Sequence, residues 1–468
     1  TSQHRRGGST MSAAAEPRLF SCGRNVHGEL GIGKPKKPKE TKRKTSSDPP
    51  PAPAPSSSAG EADPVGGWEE SNQLDDELFG MLGSDGHSTQ PPPAAAAQPK
   101  PKPKPKPQPQ LSLETPAIDQ GKGFVCLPTE IKGLPKGIVL VKSGHYHTSV
   151  IGAKNTMFTW GADISGQCGH GRAQNQWDPK WVMAVTGKNV SDVACGRTHT
   201  LIVAGGHVYS WGASSYGALG ISQSNFDQLN PTQVRLLRRT AIKQVAAGCD
   251  HSLALSNGGD VYAWGRVENG RLGLGSHPKS ATFDYVPRRM TGFAGKVASL
   301  CAGHSHTLAI MESGELFVWG SNESGQLGTG DLAPRYSPYG LKIPKPHSTF
   351  EKMAVVEAAA GARHSAAVVM WFNVMKGEMR TQVFTWGSNR RGQLGLSAGS
   401  EEAKTTRKPT TVPFFDEFTM NEDAKIQRAT AVAAGGHHTL VLAQGVPYSF
   451  GCNSYGQLGL GDRRDRQT

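Results

Sequence analysis

The chain has no long hydrophobic run, and this absence excludes a membrane-spanning helix. No segment of its 468 residues approaches the roughly 18 consecutive apolar residues that such a helix needs. Aromatic residues are also scarce at 7%, whereas glycine occurs 58 times. This balance favours many short strands joined by tight turns over a helical protein. We therefore expect a soluble, strand-rich chain.

The seven cysteines follow no spacing that is typical of metal or redox sites. Most of them stand inside or beside repeated motifs, as Cys22, Cys168 and Cys452 do. We expect them to be small buried hydrophobic residues in a reducing compartment, without disulfides. The sequence therefore predicts neither a metal site nor a bound cofactor.

Signatures of covalent chemistry are missing as well. The chain has no P-loop, no Gly-x-Ser-x-Gly elbow, no His-Glu-x-x-His pair and no Cys-x-x-Cys pair. We therefore predict no catalytic residues. The chain is interpreted as a binding protein rather than an enzyme.

What the chain does contain is one motif that occurs seven times. The motif, called the outer motif below, is an aromatic residue, a variable residue, Trp or a substitute, Gly, four variable residues and Gly-x-Leu-Gly or a close variant. Its copies begin at Phe20, Phe158, Tyr209, Tyr262, Phe317, Phe384 and Tyr448. A fixed period of about 50 residues indicates a radial or stacked repeat architecture, here one large interrupted domain.

A second motif, Gly-x-x-His followed by Ser or Thr, lies between consecutive outer motifs and is called the inner motif. Its histidines are His147, His199, His251, His306, His364 and His438. Near His251, a turn at Asn257-Gly separates two apolar runs, which is a strong hairpin signal. One His beside a hydroxyl residue in each repeat indicates a hydrogen-bonded core residue that ties one unit to the next, rather than a metal ligand or a base.

Together the two motifs resemble the regulator of chromosome condensation repeat family, whose members fold as seven-bladed β-propellers. The resemblance covers residues 18–33 and about 135–462. It implies an all-β fold, a seven-bladed propeller of four-stranded blades. Bulky aromatic residues on alternating strand positions, and Gly where neighbouring backbones crowd, agree with blades packed face to face.

An insertion splits the first repeat. We expect residues 1–17 to be a flexible N-terminus, 18–33 the first outer strands, 34–115 a disordered Pro-, Lys- and Ala-rich insertion, and 116–468 the rest of the propeller. Near residues 68–82 the insertion carries a short acidic amphipathic motif, suited to a partner's groove or to a basic face of its own propeller. The apolar residues of this motif are Trp68, Leu74, Leu78, Phe79 and Leu82.

The two motifs are unequal in number, because seven outer motifs accompany only six inner ones. In the family that the chain resembles, a C-terminal strand pair usually completes the blade that the N-terminal strands begin. The last blade is therefore expected to be incomplete at the C-terminus. Two interpretations stay open: a closing hairpin that follows Thr468, or a partner that covers the open edge.

The formal net charge is +13. Residues 34–114 hold 11 basic and 11 acidic side chains, so the excess of 40 basic over 27 acidic residues lies on the repeats and the termini. A basic folded body favours acidic proteins, anionic surfaces or nucleic acid as partners, and solubility alone is the other explanation. The basic run at 34–44 is compatible with a nuclear localisation signal, a nucleic-acid patch or a solvated linker.

The first ten residues are compatible with two interpretations. They lack acidic residues and an apolar segment, which argues against a secretory signal and leaves the remnant of an organellar transit peptide open. Met11-Ser-Ala-Ala-Ala also looks like an ordinary start. We expect a cytoplasmic protein, with a cytoskeletal or ciliary site as one variant, and leave nuclear and mitochondrial locations open.

Partner contacts are expected from the variable residues of the inner motifs, which the fold would bring to one face. These residues are His145, Tyr146, Arg197, Asp250, His304, Arg363 and His437. Two late insertions, at 370–380 and 397–427, add aromatic residues outside the repeat, and these favour partner contact over core packing. They are Trp371, Phe414, Phe415 and Phe418.

The residues favour a non-catalytic scaffold in a larger assembly, with a cilium or flagellum, an organellar ribosome and chromatin as candidates. The resemblance implies an alternative, because some family members are exchange factors for Ran-like small GTPases. Asp250 matches an acidic residue that is important in those members. Against exchange, the outer motifs around Trp211 and Trp264 lack the wedge-like insertion of those members, and Arg197 stands where an acid is expected. Nucleic-acid binding through the basic surface is a third hypothesis, which predicts binding that weakens steeply with salt.

Overall fold

The computed structural model describes most of the repeats. The described residues are 19–24, 26–27, 29–32, 118–119, 124–222, 226–275, 282–345, 350–373, 377–396, 404–415 and 428–467. Phe418 and the acidic motif at 68–82 lie outside these ranges, so their roles stay predictions.

The described residues form 26 β-strands in seven sheets, and every pairing is antiparallel between neighbours. One sheet, the N-terminal sheet, has the order β1–β3–β2 and consists of β1 (Phe20–Arg24), β2 (Ile118–Asp119) and β3 (Phe124–Glu130). The other six sheets are meanders in chain order and are called blades 1 to 6.

Each of the first three blades has four strands. Blade 1 consists of β4 (Ile138–Ser143), β5 (His147–Gly152), β6 (Thr156–Gly161) and β7 (Gln176–Trp181). Blade 2 consists of β8 (Val190–Cys195), β9 (His199–Ala204), β10 (His207–Gly212) and β11 (Gln228–Gln233). Blade 3 consists of β12 (Ile242–Ala247), β13 (His251–Ser256), β14 (Val261–Arg266) and β15 (Phe283–Arg289).

Two further blades have four strands and the last has three. Blade 4 consists of β16 (Val297–Ala302), β17 (His306–Met311), β18 (Leu316–Gly320) and β19 (Arg335–Leu341). Blade 5 consists of β20 (Phe350–Ala360), β21 (His364–Asn373), β22 (Glu378–Ser388) and β23 (Thr405–Thr411). Blade 6 consists of β24 (Ala429–Ala434), β25 (His438–Ala443) and β26 (Val446–Gly451).

The helical elements are single 3-10 turns between strands. They span Ala153–Asn155, Met183–Val185, Ser215–Gly217, Arg235–Leu237, Glu268–Gly270 and Pro413–Phe415. No helix in the described ranges has the length and apolar character to cross a membrane.

Tight hairpins set the strand order within a blade. In blade 2, β9 pairs with β10 from His199↔Gly212 to Ala204↔His207. Gly205 and Gly206, both at positive φ, form the turn that joins the two strands. All six residues of β9 are buried, because the blades on either side cover both faces of this strand.

The hydrophobic core lies between adjacent blades rather than at one centre. One cluster joins Ile151 and Met157 of blade 1 to Val193, Ile202 and Trp211 of blade 2. Each blade therefore buries its side chains against the next one, as expected for a radial repeat.

The outermost strand of blades 1 to 5 carries a proline in its middle. These residues are Pro179, Pro231, Pro287, Pro338 and Pro409. Proline has no N–H to offer to a further strand, so the outer edges resist pairing with another chain.

The all-β propeller fold is confirmed, but the seven blades that the resemblance implies are corrected to six among the described residues. The N-terminal sheet corresponds to the outer strands of a blade, since β1 carries the first outer motif and pairs with β3. Within the described ranges it has no inner strand pair, because the inner motif that forms such pairs occurs only six times.

The N-terminal sheet nevertheless lies between blade 6 and blade 1. Gly461 donates its N–H to the carbonyl of Cys126 at 2.9 Å on the blade 6 side. On the other side, Trp160 of blade 1 donates its Nε1–H to the carbonyl of Glu29 at 3.0 Å. These contacts complete the ring along its outer strands.

Candidate protein-interaction face

One end of the propeller carries both the inner-motif loops and the turns of the outer motifs, and it is called the loop face. The two sets of loops are hydrogen bonded within a blade. Ala162 donates its N–H to the carbonyl of Tyr146 at 2.8 Å, and Ser321 donates to Ser305 at 2.9 Å. The strand meander therefore brings the most variable positions of both motifs to one surface.

Backbone hydrogen bonds join each inner-motif loop to the loop of the next blade. They run from His145 N to Gly196 O, from Arg197 N to Cys249 O, from Cys249 N to His304 O, from His304 N to Gly361 O and from Ala362 N to Gly436 O, at 3.0–3.3 Å. Six loops are thus held at fixed spacing around the axis.

The glycine that opens each inner motif is required by this close approach. At Gly196, an added Cβ would lie 2.2 Å from Cε1 of His199 and 2.8 Å from the carbonyl oxygen of Gly248. Neither group has room to retreat, since one belongs to a buried ring and the other to the next loop. The first position of the inner motif is therefore fixed by packing.

Five inner-motif histidines bond the hydroxyl of a Ser or Thr in the next blade. The Nε2–hydroxyl distances are 2.7 Å for His147–Thr200, 3.0 Å for His199–Ser252, 3.2 Å for His251–Thr307, 2.9 Å for His306–Ser365 and 3.0 Å for His364–Thr439. Thr200 donates its proton to the carbonyl of Gln167 at 2.8 Å, so its oxygen accepts from His147. This assigns the neutral tautomer with the proton on Nε2.

Burial keeps these histidines neutral. It lowers the pKa of His147, His306 and His364 to about 3 and that of His199 to about 4. A neutral, buried imidazole that is hydrogen bonded between blades is suited to holding the ring together and has no open position for a metal. No group of three or more His, Cys, Asp or Glu side chains in the described ranges could hold a metal ion.

The outer-motif tryptophans make a parallel set of contacts between blades. Trp211 donates its Nε1–H to the carbonyl of Gln167 at 2.9 Å, and Trp386 donates to Gln326 at 2.9 Å. Each carbonyl belongs to the Gly-x-Leu-Gly turn of the preceding blade. The carbonyl of Gln167 thus accepts from Trp211 and from Thr200, the hydroxyl that His147 contacts.

Several predicted partner residues do meet on the loop face. The rings of His145 and His304 lie 5.6 Å apart between centroids, and Tyr146 contacts His145 edge-on at 6.0 Å. Arg363 and His437 are exposed on the loops of blades 5 and 6. These side chains surround the axis of the ring.

Asp250 does not lie free on this face, because it is 4% exposed and held by two arginines. Arg197 donates from Nη2 to its Oδ1 at 2.9 Å, and Arg266 Nη1 lies 3.5 Å from Oδ2. Sequence reasoning missed Arg266, since it stands in the variable stretch of the outer motif. It also missed Glu268, whose carboxylate is 2.6 Å from Arg266.

Two aromatic residues predicted to contact partners are instead part of the core, and those predictions are corrected. Trp371 is buried on β21, because the insertion extends the hairpin and pairs Trp371 with Arg380 on β22. Phe415 is buried in the cluster between blades 5 and 6. Phe414 beside it is 42% exposed. The cysteines are all free thiols, four of them buried.

A ring of antiparallel blades with variable loops on one face defines a β-propeller interaction domain. The family model for the RCC1-like domain matches residues 107–468, and the chain belongs to this family.

Similar proteins have names that state different functions. The chain is 31% identical over 341 residues to the ultraviolet-B receptor UVR8 of Arabidopsis thaliana, covering 72% of this chain and 70% of that protein. It is 28% identical over 337 residues to the secretion-regulating guanine nucleotide exchange factor of Bos taurus, covering 69% and 68%. Among solved structures, Prp20p of Saccharomyces cerevisiae, reported with its binding to Gsp1p and histones, matches with a TM-score of 0.59 at 23% identity, covering 75% of this chain and 81% of that one.

Proposed function

We propose that this protein is a non-catalytic interaction scaffold whose loop face docks partner proteins within a larger assembly. The observation that carries the proposal is the set of hydrogen bonds that joins successive inner-motif loops. Variable side chains on loops over a rigid framework are a common arrangement for binding, because little conformational entropy is lost on docking.

The side chains of the loop face support protein rather than small-molecule binding. His145, Arg363 and His437 are exposed there, and Tyr146 is half-buried. Aromatic and arginine side chains are enriched at the centres of protein interfaces. A ciliary or flagellar assembly, an organellar ribosome and chromatin stay the candidate locations.

Co-purification with the full chain as bait, followed by mass spectrometry, tests the proposal. The double variant Tyr146→Ala with Arg363→Ala should lose its partners, since both side chains lie on the loop face and neither is buried. The matched control is Arg235→Ala with Leu236→Ala, two exposed residues in the connection that leaves the outer strand of blade 2 at the opposite end. Partners that survive the first double variant would contradict the proposal.

Nucleotide exchange on a small GTPase is the second candidate function. It is supported by the name of the Bos taurus relative and by the position of Asp250 in the third inner motif. The two arginines that hold Asp250 weigh against it, because contact with a GTPase would require the carboxylate to leave them. Release of a fluorescent GDP from a panel of small GTPases tests this candidate. Acceleration that Asp250→Asn abolishes would favour exchange over the scaffold.

A further inference from the structure

Three arginines from neighbouring loops gather at the junction of blades 2 and 3 on the loop face. Arg197 comes from the inner motif of blade 2, and Arg266 and Arg271 come from the outer motif of blade 3. Two acidic residues, Asp250 and Glu268, lie among them. This group is called the arginine cluster, and its formal charges leave one positive charge without an internal partner.

The two carboxylates of the cluster have different positions. Asp250 is buried and fixed between Arg197 and Arg266. Glu268 is on the surface, with 45% of its side chain exposed, and it lies 2.6 Å from Arg266 and 3.8 Å from Arg271. Asp250 is thus part of the framework, whereas Glu268 is an exchangeable surface carboxylate.

The guanidinium groups are incompletely bonded. Buried nitrogen atoms of all three arginines, Nε of Arg197, Nε of Arg266 and Nη1 of Arg271, have no hydrogen-bond partner among the described residues. Arg271 is almost fully buried, and burial together with the neighbouring Arg266 lowers its pKa. A buried charged donor without a partner is costly, so a further anion here would be favoured.

Tyr216 completes the cluster in an unfavourable backbone conformation. Its φ is +60°, a left-handed value that a residue with a bulky side chain rarely adopts. Its ring lies between two guanidinium groups, 5.8 Å from Arg197 and 4.9 Å from Arg266. Strain of this kind persists where the surrounding structure enforces it, often at binding sites. Here the backbone conformation places the aromatic ring of Tyr216 beside the two arginines.

We propose that the arginine cluster binds a carboxylate from an acidic segment of a partner protein, which displaces Glu268 from Arg266 and Arg271. The proposal deepens the scaffold function and rests on it. The chemical class of the ligand follows from Glu268, because its carboxylate already lies beside the guanidinium groups of Arg266 and Arg271. Guanidinium groups favour planar ligands with two oxygen atoms. A compact cluster of this size suits one acidic side chain rather than a nucleic-acid backbone, which needs a track of cationic contacts.

The test measures binding of a fluorescein-labelled hexaglutamate peptide to the full chain by fluorescence anisotropy at low ionic strength. Glu268→Gln removes the competing carboxylate and should tighten binding about fivefold, while Arg266→Gln should weaken it about tenfold. Arg289→Gln is the matched control. Arg289 lies on β15, the outer strand of blade 3, where its side chain is 63% exposed and pairs with Asp260. This control removes the same charge and should leave the affinity unchanged.

Three results would overturn the proposal. The first is a Glu268→Gln protein that binds the peptide no more tightly than the parent. The second is an equal loss of affinity in Arg266→Gln and Arg289→Gln, which would indicate diffuse attraction to a basic body. The third is a single-stranded oligothymidine that displaces the peptide at a lower concentration than unlabelled hexaglutamate does.

If Arg266→Gln does not fold, the Glu268→Gln variant still tests the proposal. Glu268 is a surface residue, so its substitution should leave the fold intact. The peptide assay needs no cellular partner. If the scaffold function is wrong, partners will still co-purify with the loop-face double variant. If the carboxylate site is wrong, the peptide titration will show it.

Discussion

The seams between blades 1 to 6 differ from the open seam, where the N-terminal sheet stands between blade 6 and blade 1. Leu201 of blade 2 is 0% exposed, because it packs on blade 3. Leu440 holds the same position after the inner-motif histidine of blade 6 and is 37% exposed, and Leu442 is 39% exposed. Identical motifs therefore give opposite burial, since the neighbour and not the residue supplies the cover.

The hydrogen bonds of the two regions differ in the same way. At the seams between blades, a His binds a hydroxyl of the next blade and a Trp commonly binds the preceding turn. At the open seam Cys22 stands at the Trp position, and its Sγ donates weakly to the carbonyl of Gln457 at 3.5 Å. The open seam thus has a weaker contact on its blade 6 side, whereas on its blade 1 side Trp160 keeps the usual bond to the carbonyl of Glu29. The blade 6 side and the seams between blades should therefore respond unequally to the same substitution.

Truncation at the Trp position of the outer motif should have the largest effect, and it should be larger at Trp211 between two blades than at Cys22 in the open seam. Trp211→Ala leaves a large cavity between blades 1 and 2 and should lower the free energy of unfolding by about 3–5 kcal/mol. Cys22→Ala changes the corresponding position of the open seam and should lower it by about 1 kcal/mol or less. Urea unfolding followed by tryptophan fluorescence and circular dichroism measures both. Equal losses would remove the distinction between the seams.

Truncating the equivalent leucines should give the next largest difference. Leu201→Ala should cost about 2–5 kcal/mol of unfolding free energy, because a fully buried side chain leaves a cavity. Leu440→Ala should cost less than about 1 kcal/mol, since the side chain already contacts water. Thermal unfolding of the two variants beside the parent chain provides the comparison. A Leu440→Ala loss as large as that of Leu201→Ala would show that the open seam is covered in solution.

A methyl group added to an inner-motif loop should act unequally at the first and the second position of the motif. Gly196→Ala forces a Cβ against His199 and Gly248 and should cost about 1–3 kcal/mol. Gly436→Ala, at the second position of the inner motif of blade 6, meets no atom within 4 Å and should change stability by less than about 0.5 kcal/mol. The midpoint of urea unfolding measures both changes. A neutral Gly196→Ala protein would contradict the close approach of the loops.

A further effect should be a change in the pH dependence of stability. The pKa of His199 is about 4 in the folded chain, below the value of about 6.5 in an unfolded one. The unfolded state therefore binds more protons as the pH falls below 6.5, and stability is lost between about pH 6.5 and 4. His199→Gln should reduce this slope by up to one proton, measured by urea unfolding at several pH values. An unchanged slope would mean that His199 is not buried in its neutral form.

Local features of the propeller could be predicted because they depend on short stretches of chain. The turn at Asn257 was recognisable from turn residues and apolar patterns, and it joins β13 to β14. The loop face could be predicted in outline, since loops between the same strands of a meander emerge at the same end.

Features that depend on a neighbouring surface could not be predicted. Trp371 lies outside the repeat and was expected to contact partners, but the extended pairing of β21 with β22 makes it a core residue. Asp250 was expected on the surface and is enclosed by Arg197 and Arg266. The arginine at position 271, which replaces the Gln of several other outer motifs, was a signal that the motif comparison left unused.

The recurrence of Gly, Trp and His along the chain is enough to predict the strands, the hairpins and the propeller class. These are set by backbone geometry and by contacts that repeat with the chain. Packing between distant segments sets the six blades of the described residues, covers Leu201 while Leu440 stays exposed, and encloses Asp250 between Arg197 and Arg266. The reason is physical, because burial and charge pairing depend on the surface that packs against a residue, and that surface comes from a distant part of the chain.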